Sequence, residues 1–354
     1  MGFEIRRIEI ERKTYKLVKT FRISLGAMSE STVIQIRLIL NGGTVGLGEA
    51  SPSFKISGEY LNSVETALRE LSQEFIGEDV RNYRVLFDRI DEMFRTFPSA
   101  KSALQYAILD ALTAEYGLTP FEFFGGAKRK IVSDKTVGID DVNAMVEDAK
   151  KIKEEGFRTI KIKIDSVDFA LDVVPKIADA TGNIGYIVDA NQALKPKEAV
   201  EVAEKLHSLG VNVLVLEQPV FKHDYDGLRF VRERSPFPVA ADESLYTRYD
   251  AFKLARDGCV DVFNIKLMKS GLSDGMAIVE IARSAGITLM IGCMGESSLG
   301  ITQSIDFAAG LGYFTYLDLD CPFLHAEDSK YRGYIRDGDE LTVLDREERE
   351  KLKD

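Results

Sequence analysis

One pattern recurs eight times after Gly125-Gly126: a short apolar segment, usually followed by an amphipathic stretch with helical spacing. The apolar segments are SDKTVGI, FRTIKIKI, NIGYIVDA, VNVLVLEQP, PFPVAADES, VDVFNIKLM, GITLMIGCM and YFTYLDLD. Strands that alternate with helices form parallel sheets, and eight such units over about 190 residues fit an α/β fold of the (β/α)₈ TIM-barrel type, whose final helix is missing or merged into the tail. A doubly wound open sheet is the alternative, although eight units are many for that fold.

The residues before the barrel have a different pattern. From Phe3 to about Leu47 apolar and polar residues alternate, with a turn at 41–43, and from Tyr60 to Phe124 the spacing is helical. This order predicts an α+β capping domain over residues 1–125, followed by the barrel over 126–320. Residues 321–354 again contain strand-like sequence such as YRGYIRDGDELTV, and we expect this segment to return to the capping domain and complete it.

Composition excludes several classes of protein. A net charge of −11 argues against nucleic-acid binding, which needs a basic face, and no apolar run is long enough to cross a bilayer. The charged start of the chain lacks the apolar core of a signal peptide, and a cytoplasmic location is expected from the odd number and wide spacing of the cysteines. Three widely spaced cysteines and three histidines leave little material for a disulfide framework, a zinc site or histidine-based catalysis.

Charged residues interrupt the apolar strands near their carboxyl ends, where the active site of a barrel lies. They are Lys161, Lys163, Asp189, Glu217, Asp242 and Lys266, in the second to the sixth strands. One acid at a strand end is typical of a helix cap or a solvated end. Three acids on consecutive strands would repel one another unless a hard cation neutralised them, and oxygen ligands favour Mg²⁺. The sequence therefore predicts that Asp189, Glu217 and Asp242 bind one Mg²⁺.

The lysines suggest what such a metal site does. The second and sixth strands lie on roughly opposite sides of an eight-stranded barrel, so Lys163 and Lys266 would face each other across the metal. A nearby cation and a second lysine should lower a lysine pKa, which allows it to act as a base. A carboxylate held by Mg²⁺ has a more acidic α-proton, since the metal stabilises the charge that develops on the oxygens. The pattern indicates proton transfer next to a carboxylate.

The chain resembles enolase-superfamily enzymes of the muconate lactonising subgroup over nearly its whole length. The motifs are GLGEASP, AILDALTAEYGLTPFEFFGG, KIK, VDANQ, LEQP, ADES, NIKLMKSG and CMGES. The resemblance implies that Lys163 and Lys266 are the two acid–base groups and that Lys161 assists near the substrate carboxylate. It also implies that Asn191 supports the metal ligands and that Glu296 lies near Lys266.

The eighth strand ends in Asp318-Leu319-Asp320, a pattern that also occurs at solvated strand ends. In the dipeptide epimerases of this subgroup, a DxD at this place binds the free ammonium of an L-Ala-type residue. The resemblance therefore implies an enzyme that inverts the C-terminal residue of L-Ala-Xaa by two-base 1,1-proton transfer through an ene-diolate. Thr136 and Met294 are the further substrate contacts that it implies.

The identity of Xaa depends on two capping-domain loops, near residues 20–30 and 50–58. Relatives that prefer L-Ala-Glu carry a basic residue on the first loop, where this chain has Gly26, a substrate contact by the same resemblance. An uncharged or aromatic Xaa is therefore expected, unless Arg22 or Lys55 supplies the cation and makes the enzyme an L-Ala-D/L-Glu epimerase.

Other activities remain open. They are an N-acylamino-acid racemase, an o-succinylbenzoate synthase and a catalytically silent barrel that only binds a metal or ligand. The expected partner is a small dipeptide rather than nucleic acid or a membrane. The sequence is compatible with a homo-oligomer and does not specify the oligomeric state.

Overall fold

The chain begins with a three-stranded antiparallel sheet, seen in a computed structural model that describes residues 2–352. Its strands, in spatial order, are β1 (Ile5–Ile23), β2 (Gly26–Leu40) and β3 (Val45–Ala50). The turn expected at 41–43 joins β2 to β3. Ile34, Ile36 and Leu38 alternate along β2 and are fully buried. The period-two pattern thus gives this sheet one apolar face, against which helices can pack.

Helices follow the sheet and cover its apolar face. They are α1 (Phe54–Ser57), α2 (Leu61–Leu71), α3 (Tyr83–Met93), α4 (Pro98–Glu115) and α5 (Pro120–Phe123), with 3₁₀ turns at Ser72–Phe75 and Val80–Asn82. A short strand, β4 (Lys130–Val132), comes next. Helix α4 approaches β3 so closely that a Cβ atom at Gly46 or Gly48 would lie 2.1 Å from a carbonyl oxygen of Ala107 or Ala103. Glycine at these two positions permits the contact.

Eight parallel strands then form one sheet in the order of the sequence. They are β5 (Lys135–Val137), β6 (Thr159–Lys163), β7 (Gly185–Asp189), β8 (Val213–Glu217), β9 (Val239–Ala241), β10 (Val262–Ile265), β11 (Thr288–Ile291) and β12 (Phe314–Leu317). The intervening helices are α6 (Val142–Glu154), α7 (Val167–Thr181), α8 (Pro196–Ser208), α9 (Tyr225–Arg232), α10 (Arg248–Arg256), α11 (Leu267–Ala285) and α12 (Ser298–Leu311). The N–H of Asp134 donates to the carbonyl of Leu317 at 2.8 Å and so links the first strand to the last. The predicted TIM-type fold is confirmed, and the sequential strand order excludes the doubly wound alternative.

The segment after β12 contains a 3₁₀ turn (Cys321–Leu324), the hairpin β13 (Tyr334–Asp337) and β14 (Glu340–Val343), and helix α13 (Arg346–Glu350). Strand β14 pairs with β4 rather than with the three-stranded sheet. The segment nevertheless contacts the first region, because Arg346 forms a 2.7 Å ion pair with Asp110 of α4 and His325 stacks on Tyr15 of β1.

Two helices are almost entirely buried. Helix α4 lies between the antiparallel sheet and the barrel helices, and α12 lies beside α5 and β3, so both are apolar around most of their circumference. Even so, within residues 2–352 no helix has the combination of length and apolar character needed to cross a bilayer.

Candidate active site

The carboxyl ends of five neighbouring strands, β6 to β10, bring together the charged residues identified in the sequence. Lys163, Asp189 and Glu217 are the last residues of β6, β7 and β8, and they lie beside one another in the strand register. Asp242 and Lys266 directly follow β9 and β10. Parallel pairing places all five at one edge of the sheet, because the strands end at the same level.

Three of these residues form a compact carboxylate cluster. Oxygen atoms of Asp189, Glu217 and Asp242 all lie within 4.8 Å of one another, and each side chain is almost fully buried. The ammonium of Lys161 lies 3.1 Å from Asp189 and 2.9 Å from Glu217, and that of Lys163 lies 2.5 Å from Asp189. Positive charge therefore compensates the carboxylates on the side of β6.

The pKa values in this cluster diverge. Burial and the charge of Asp189 raise the pKa of Glu217 to about 7. Burial acts in the same direction on Asp189, but Lys163 and Lys161 outweigh it and lower that pKa to about 2. The lysines thus fall short of keeping all three acids ionised near neutral pH, whereas a divalent cation among three oxygen donors would do so. The donor set suits a hard cation such as Mg²⁺.

Lys163 and Lys266 both line the cavity above the cluster, and they stand on strands four positions apart in the sheet. Lys266 donates to Asp242 at 2.9 Å. Burial lowers the pKa of Lys266, but the carboxylates of Asp242, Glu217 and Asp318 together outweigh burial, and the net effect is a pKa well above the ordinary value. The sequence predicted that a lysine at this site has a lowered pKa, but the protein groups around Lys266 do not lower it. A lowered pKa requires an added positive charge among the carboxylates.

Gly292, which directly follows the neighbouring strand β11, leaves room for the Lys266 side chain. The sequence motifs did not identify this glycine. A Cβ atom at Gly292 would lie 2.8 Å from the Cε atom of Lys266 and 2.9 Å from the amide oxygen of Asn264. Any larger residue would displace the lysine side chain.

The two aspartates of the DxD sequence lie at the cavity wall together with Thr136. Asp318 accepts a hydrogen bond from Lys161 at 2.7 Å, and Asp320 accepts one from the N–H of Thr136 at 2.7 Å. Lys161 itself is fully buried below the cavity and is not among its lining residues. The structure thus places Lys161 between the DxD carboxylates and the acidic cluster.

The remaining predicted residues surround the same space. Asn191 lines the cavity, its N–H donates to Asp189 at 2.9 Å, and its backbone has a φ of +40°. Met294 also lines the cavity, whereas Glu296 is buried behind it and accepts the N–H of Met294. Burial raises the pKa of Glu296 to about 7.

Two buried residues beside the cluster were missed from the sequence although they lie within quoted motifs. Lys269, in NIKLMKSG, donates to Asp242 at 2.5 Å. Glu243, in ADES, accepts from the amide of Asn191 at 3.2 Å, and burial together with Asp242 raises its pKa to about 7. Lys269 is the second lysine of its motif and lies three residues after Lys266, a spacing that puts both on one side of a helical turn, and this was the signal that could have identified it.

The capping region closes the cavity, whose volume is about 370 Å³. The β1–β2 hairpin and helix α1 contribute apolar side chains, namely Leu17, Phe21, Ile23, Met28, Phe54 and Ile56. Gly26 has a φ of +141°, and a Cβ atom there would lie 1.6 Å from the ammonium of Lys55. Lys55 therefore occupies the space that a side chain at position 26 would fill. Lys55 lines the cavity, whereas Arg22 is not among the lining residues.

Family models match most of the chain. Residues 7–125 match the mandelate racemase / muconate lactonizing enzyme N-terminal domain, and residues 144–346 match the enolase C-terminal domain-like model. The chain therefore belongs to this enolase-superfamily family, as its motifs suggested.

Individual relatives indicate which type of enzyme within this family the chain is similar to. An L-Ala-D/L-Glu epimerase of Thermotoga maritima is 47% identical over 96% of this chain and 98% of its own length. An aromatic dipeptide epimerase of Herpetosiphon aurantiacus is 34% identical over 98% of both chains. A crystal structure of a dipeptide epimerase from Enterococcus faecalis, complexed with Mg and L-Leu-L-Tyr, superposes with a TM-score of 0.93 at 32% identity, covering 97% of this chain and 98% of that one. The chain is an isomerase of the epimerase type within the enolase superfamily.

Proposed function

We propose that the protein is a dipeptide epimerase that inverts the α-carbon of the C-terminal residue of L-Ala-Xaa. The observation that carries this proposal is the position of Lys163 and Lys266, which line one cavity from strands on different sides of the acidic cluster. A base on each face of an α-carbon can take a proton from one epimer and return it on the opposite face.

We further propose that Asp189, Glu217 and Asp242 bind one Mg²⁺ per subunit. The proposal is supported by their oxygen atoms, which converge within 4.8 Å, and by the raised pKa of Glu217, which indicates a deficit of positive charge. Bound there, Mg²⁺ would stabilise the negative charge that develops on the substrate carboxylate as the α-proton leaves.

The chain's own groups then have distinct tasks. Lys163 removes the α-proton of one epimer, and Lys266 delivers a proton to the other face; in the reverse direction the two lysines exchange roles. Lys161 holds positive charge below the substrate carboxylate. Asp318 and Asp320 receive the substrate ammonium, because two carboxylates on one side of a strand end can share a cation.

Two loops of the capping domain, near 20–30 and 50–58, are proposed to select Xaa. Apolar side chains such as Ile23, Met28 and Phe54 favour a hydrophobic or aromatic Xaa. A second candidate, L-Ala-D/L-Glu, is favoured by Lys55, whose ammonium lies against Gly26 and has no ion-pair partner among residues 2–352. A cation at that place can meet a side-chain carboxylate, and its methylene groups can contact an aromatic ring.

The N-acylamino-acid racemase and o-succinylbenzoate synthase activities are less well supported. Their substrates lack a free ammonium, so the carboxylates of Asp318 and Asp320 would face an uncharged or anionic group at a cost in desolvation and repulsion.

Exchange of the α-proton in D₂O tests the proposed reaction. Purified protein with Mg²⁺ is offered L-Ala-L-Phe, L-Ala-L-Glu, their N-acetylated forms and a succinylbenzoate precursor, and NMR follows deuterium at the C-terminal α-carbon. We expect exchange with the free dipeptides and at least tenfold slower exchange after N-acetylation, since one lost charged contact is worth about 1.5 kcal/mol or more. Equal rates for the acylated forms, or no exchange with any dipeptide, would contradict the proposal.

A further inference from the structure

Two of the three cysteines, Cys293 and Cys321, lie together in the wall of the substrate cavity although they are 28 positions apart in the chain. Cys293 follows β11, and Cys321 begins the 3₁₀ turn after β12. Their sulfur atoms are 2.7 Å apart, and both residues are 8% exposed. Neither thiol has a part in the proton transfer proposed above.

The separation of the sulfur atoms discriminates between two uses of such a pair. Two thiolates on one tetrahedral zinc ion, each about 2.3 Å from the metal, would stand about 3.8 Å apart. Cys293 and Cys321 stand about 1.1 Å closer than that, and with Asp320 they form a group of three possible ligands, one fewer than a closed structural zinc site uses. A disulfide bond is about 2.05 Å long, so the two sulfur atoms need to approach by only about 0.7 Å to form one.

The surroundings also assign different roles to the two thiols. Burial raises the pKa of Cys293 well above its ordinary value, and the nearby charges of Asp318 and Asp320 act in the same direction. Burial and the charges of Glu296 and Asp320 also raise the pKa of Cys321, but less than that of Cys293, because the N–H of Gly295 donates to the Cys321 sulfur at 3.0 Å and stabilises negative charge on it. Cys321 is therefore the better nucleophile of the two, and Cys293 is the resolving thiol.

We propose that Cys293 and Cys321 are a redox-active pair that closes reversibly to a disulfide in the cavity wall and thereby lowers the epimerase activity. With hydrogen peroxide as the oxidant, the Cys321 thiol takes one oxygen atom, forms a sulfenic acid and releases water. The Cys293 sulfur then attacks the Cys321 sulfur, the S–S bond forms, and the sulfenic oxygen leaves as a second molecule of water. A dithiol reductant restores both thiols by exchange.

The link to activity comes from what the pair touches, and this part rests on the proposed function. The Cys293 thiol lies 3.7 Å from a carboxylate oxygen of Asp320, and the segment after Cys293 carries Met294 and Glu296. Drawing the sulfur atoms together shifts this wall relative to Asp320, the proposed ammonium site. Displacements approaching 1 Å can reduce catalysis by large factors, so we expect kcat/KM to fall about tenfold.

The third cysteine provides the matched control. Cys259 is buried and is not among the residues that line the cavity. The Mg²⁺-loaded protein and the variants Cys293→Ser, Cys321→Ser and Cys259→Ser are treated with hydrogen peroxide, and the peroxide is removed with catalase. Thiols are then counted after denaturation, bonded peptides are mapped by mass spectrometry, and activity is measured before and after dithiothreitol.

We expect wild-type protein and Cys259→Ser to lose two thiols and two hydrogen atoms per chain and to contain a 293–321 link. Their kcat/KM should fall about tenfold, and dithiothreitol should restore it. Cys293→Ser and Cys321→Ser should form no 293–321 link, and Cys321→Ser, which lacks the thiol that peroxide attacks, should retain after treatment the activity that it had before treatment. A link through Cys259, retention of all thiols, or a linked protein with unchanged activity would overturn the proposal. The thiol count and the peptide map are independent of any substrate, so absence of dipeptide activity would refute the proposed function and not the disulfide.

Discussion

Replacement of Lys55 by methionine separates the two candidate side-chain preferences. The substitution removes the ammonium next to Gly26 and keeps a flexible apolar chain of similar length. If the ammonium meets a substrate carboxylate, kcat/KM for L-Ala-L-Glu falls, while kcat/KM for L-Ala-L-Phe stays within about twofold, because the methylene contacts with the ring are retained.

The exposure of Lys55 to solvent determines how large the loss of kcat/KM for L-Ala-L-Glu should be. A hydrogen bond between fully desolvated charged groups contributes about 1.5–3 kcal/mol, and a solvated surface ion pair contributes less than about 1 kcal/mol. Lys55 is exposed to solvent and yet lines a cavity that a dipeptide would cover. We therefore expect about 1.5 kcal/mol, or roughly a tenfold loss for the glutamate substrate.

Both substrates are measured by α-proton exchange in D₂O on the same preparation. Arg22→Met is the matched control, since Arg22 is an exposed cation on the β1–β2 hairpin that does not line the cavity. An unchanged Glu/Phe ratio in Lys55→Met, or an equal change in Arg22→Met, would refute the assignment of Lys55 as the recognising cation.

Three further outcomes are expected. Lys163→Ala and Lys266→Ala should each abolish α-proton exchange of a different epimer, and intact exchange of both epimers in both variants would exclude the two-base mechanism. Removal of divalent cations with EDTA should abolish activity, and Mg²⁺ should restore it; activity that survives chelation would argue against the metal site. Arg349→Met should lower the free energy of unfolding by about 3–5 kcal/mol in urea titrations, because it removes the ion-pair partner of the buried Asp306 carboxylate, now 2.6 Å from the guanidinium, and leaves that carboxylate the hydroxyl of Tyr106 as its remaining donor. A loss below 1 kcal/mol would contradict the strength assigned to this buried ion pair.

The barrel and its acidic cluster were predictable because each depends on local periodicity. Parallel strands that are covered on both faces appear in the sequence as short apolar runs. Asp189 and Glu217 are therefore recognisable as charged residues at the ends of such runs. Parallel pairing then places successive strand ends at one edge of the sheet, and their convergence follows without further information.

The sequence did not predict how deep each of the two lysines on β6 lies within the barrel. Lys161 and Lys163 lie two residues apart and point to the same side, as the strand period requires. Only the packed barrel shows that Lys161 is one layer lower, fully buried against Asp318 and Glu217, while Lys163 reaches the cavity.

The sequence by itself determined the fold class, and it identified the three acids, the two lysines and the DxD pair that the structure brings to one end of the barrel. Each of these follows from spacing along a strand or from motifs in a fixed order. The tertiary structure alone decided that Lys55 fills the space beside Gly26, and that Cys293 meets Cys321. Contacts of this kind join segments from different strands and loops, and their distances depend on how the elements pack, which no local pattern encodes.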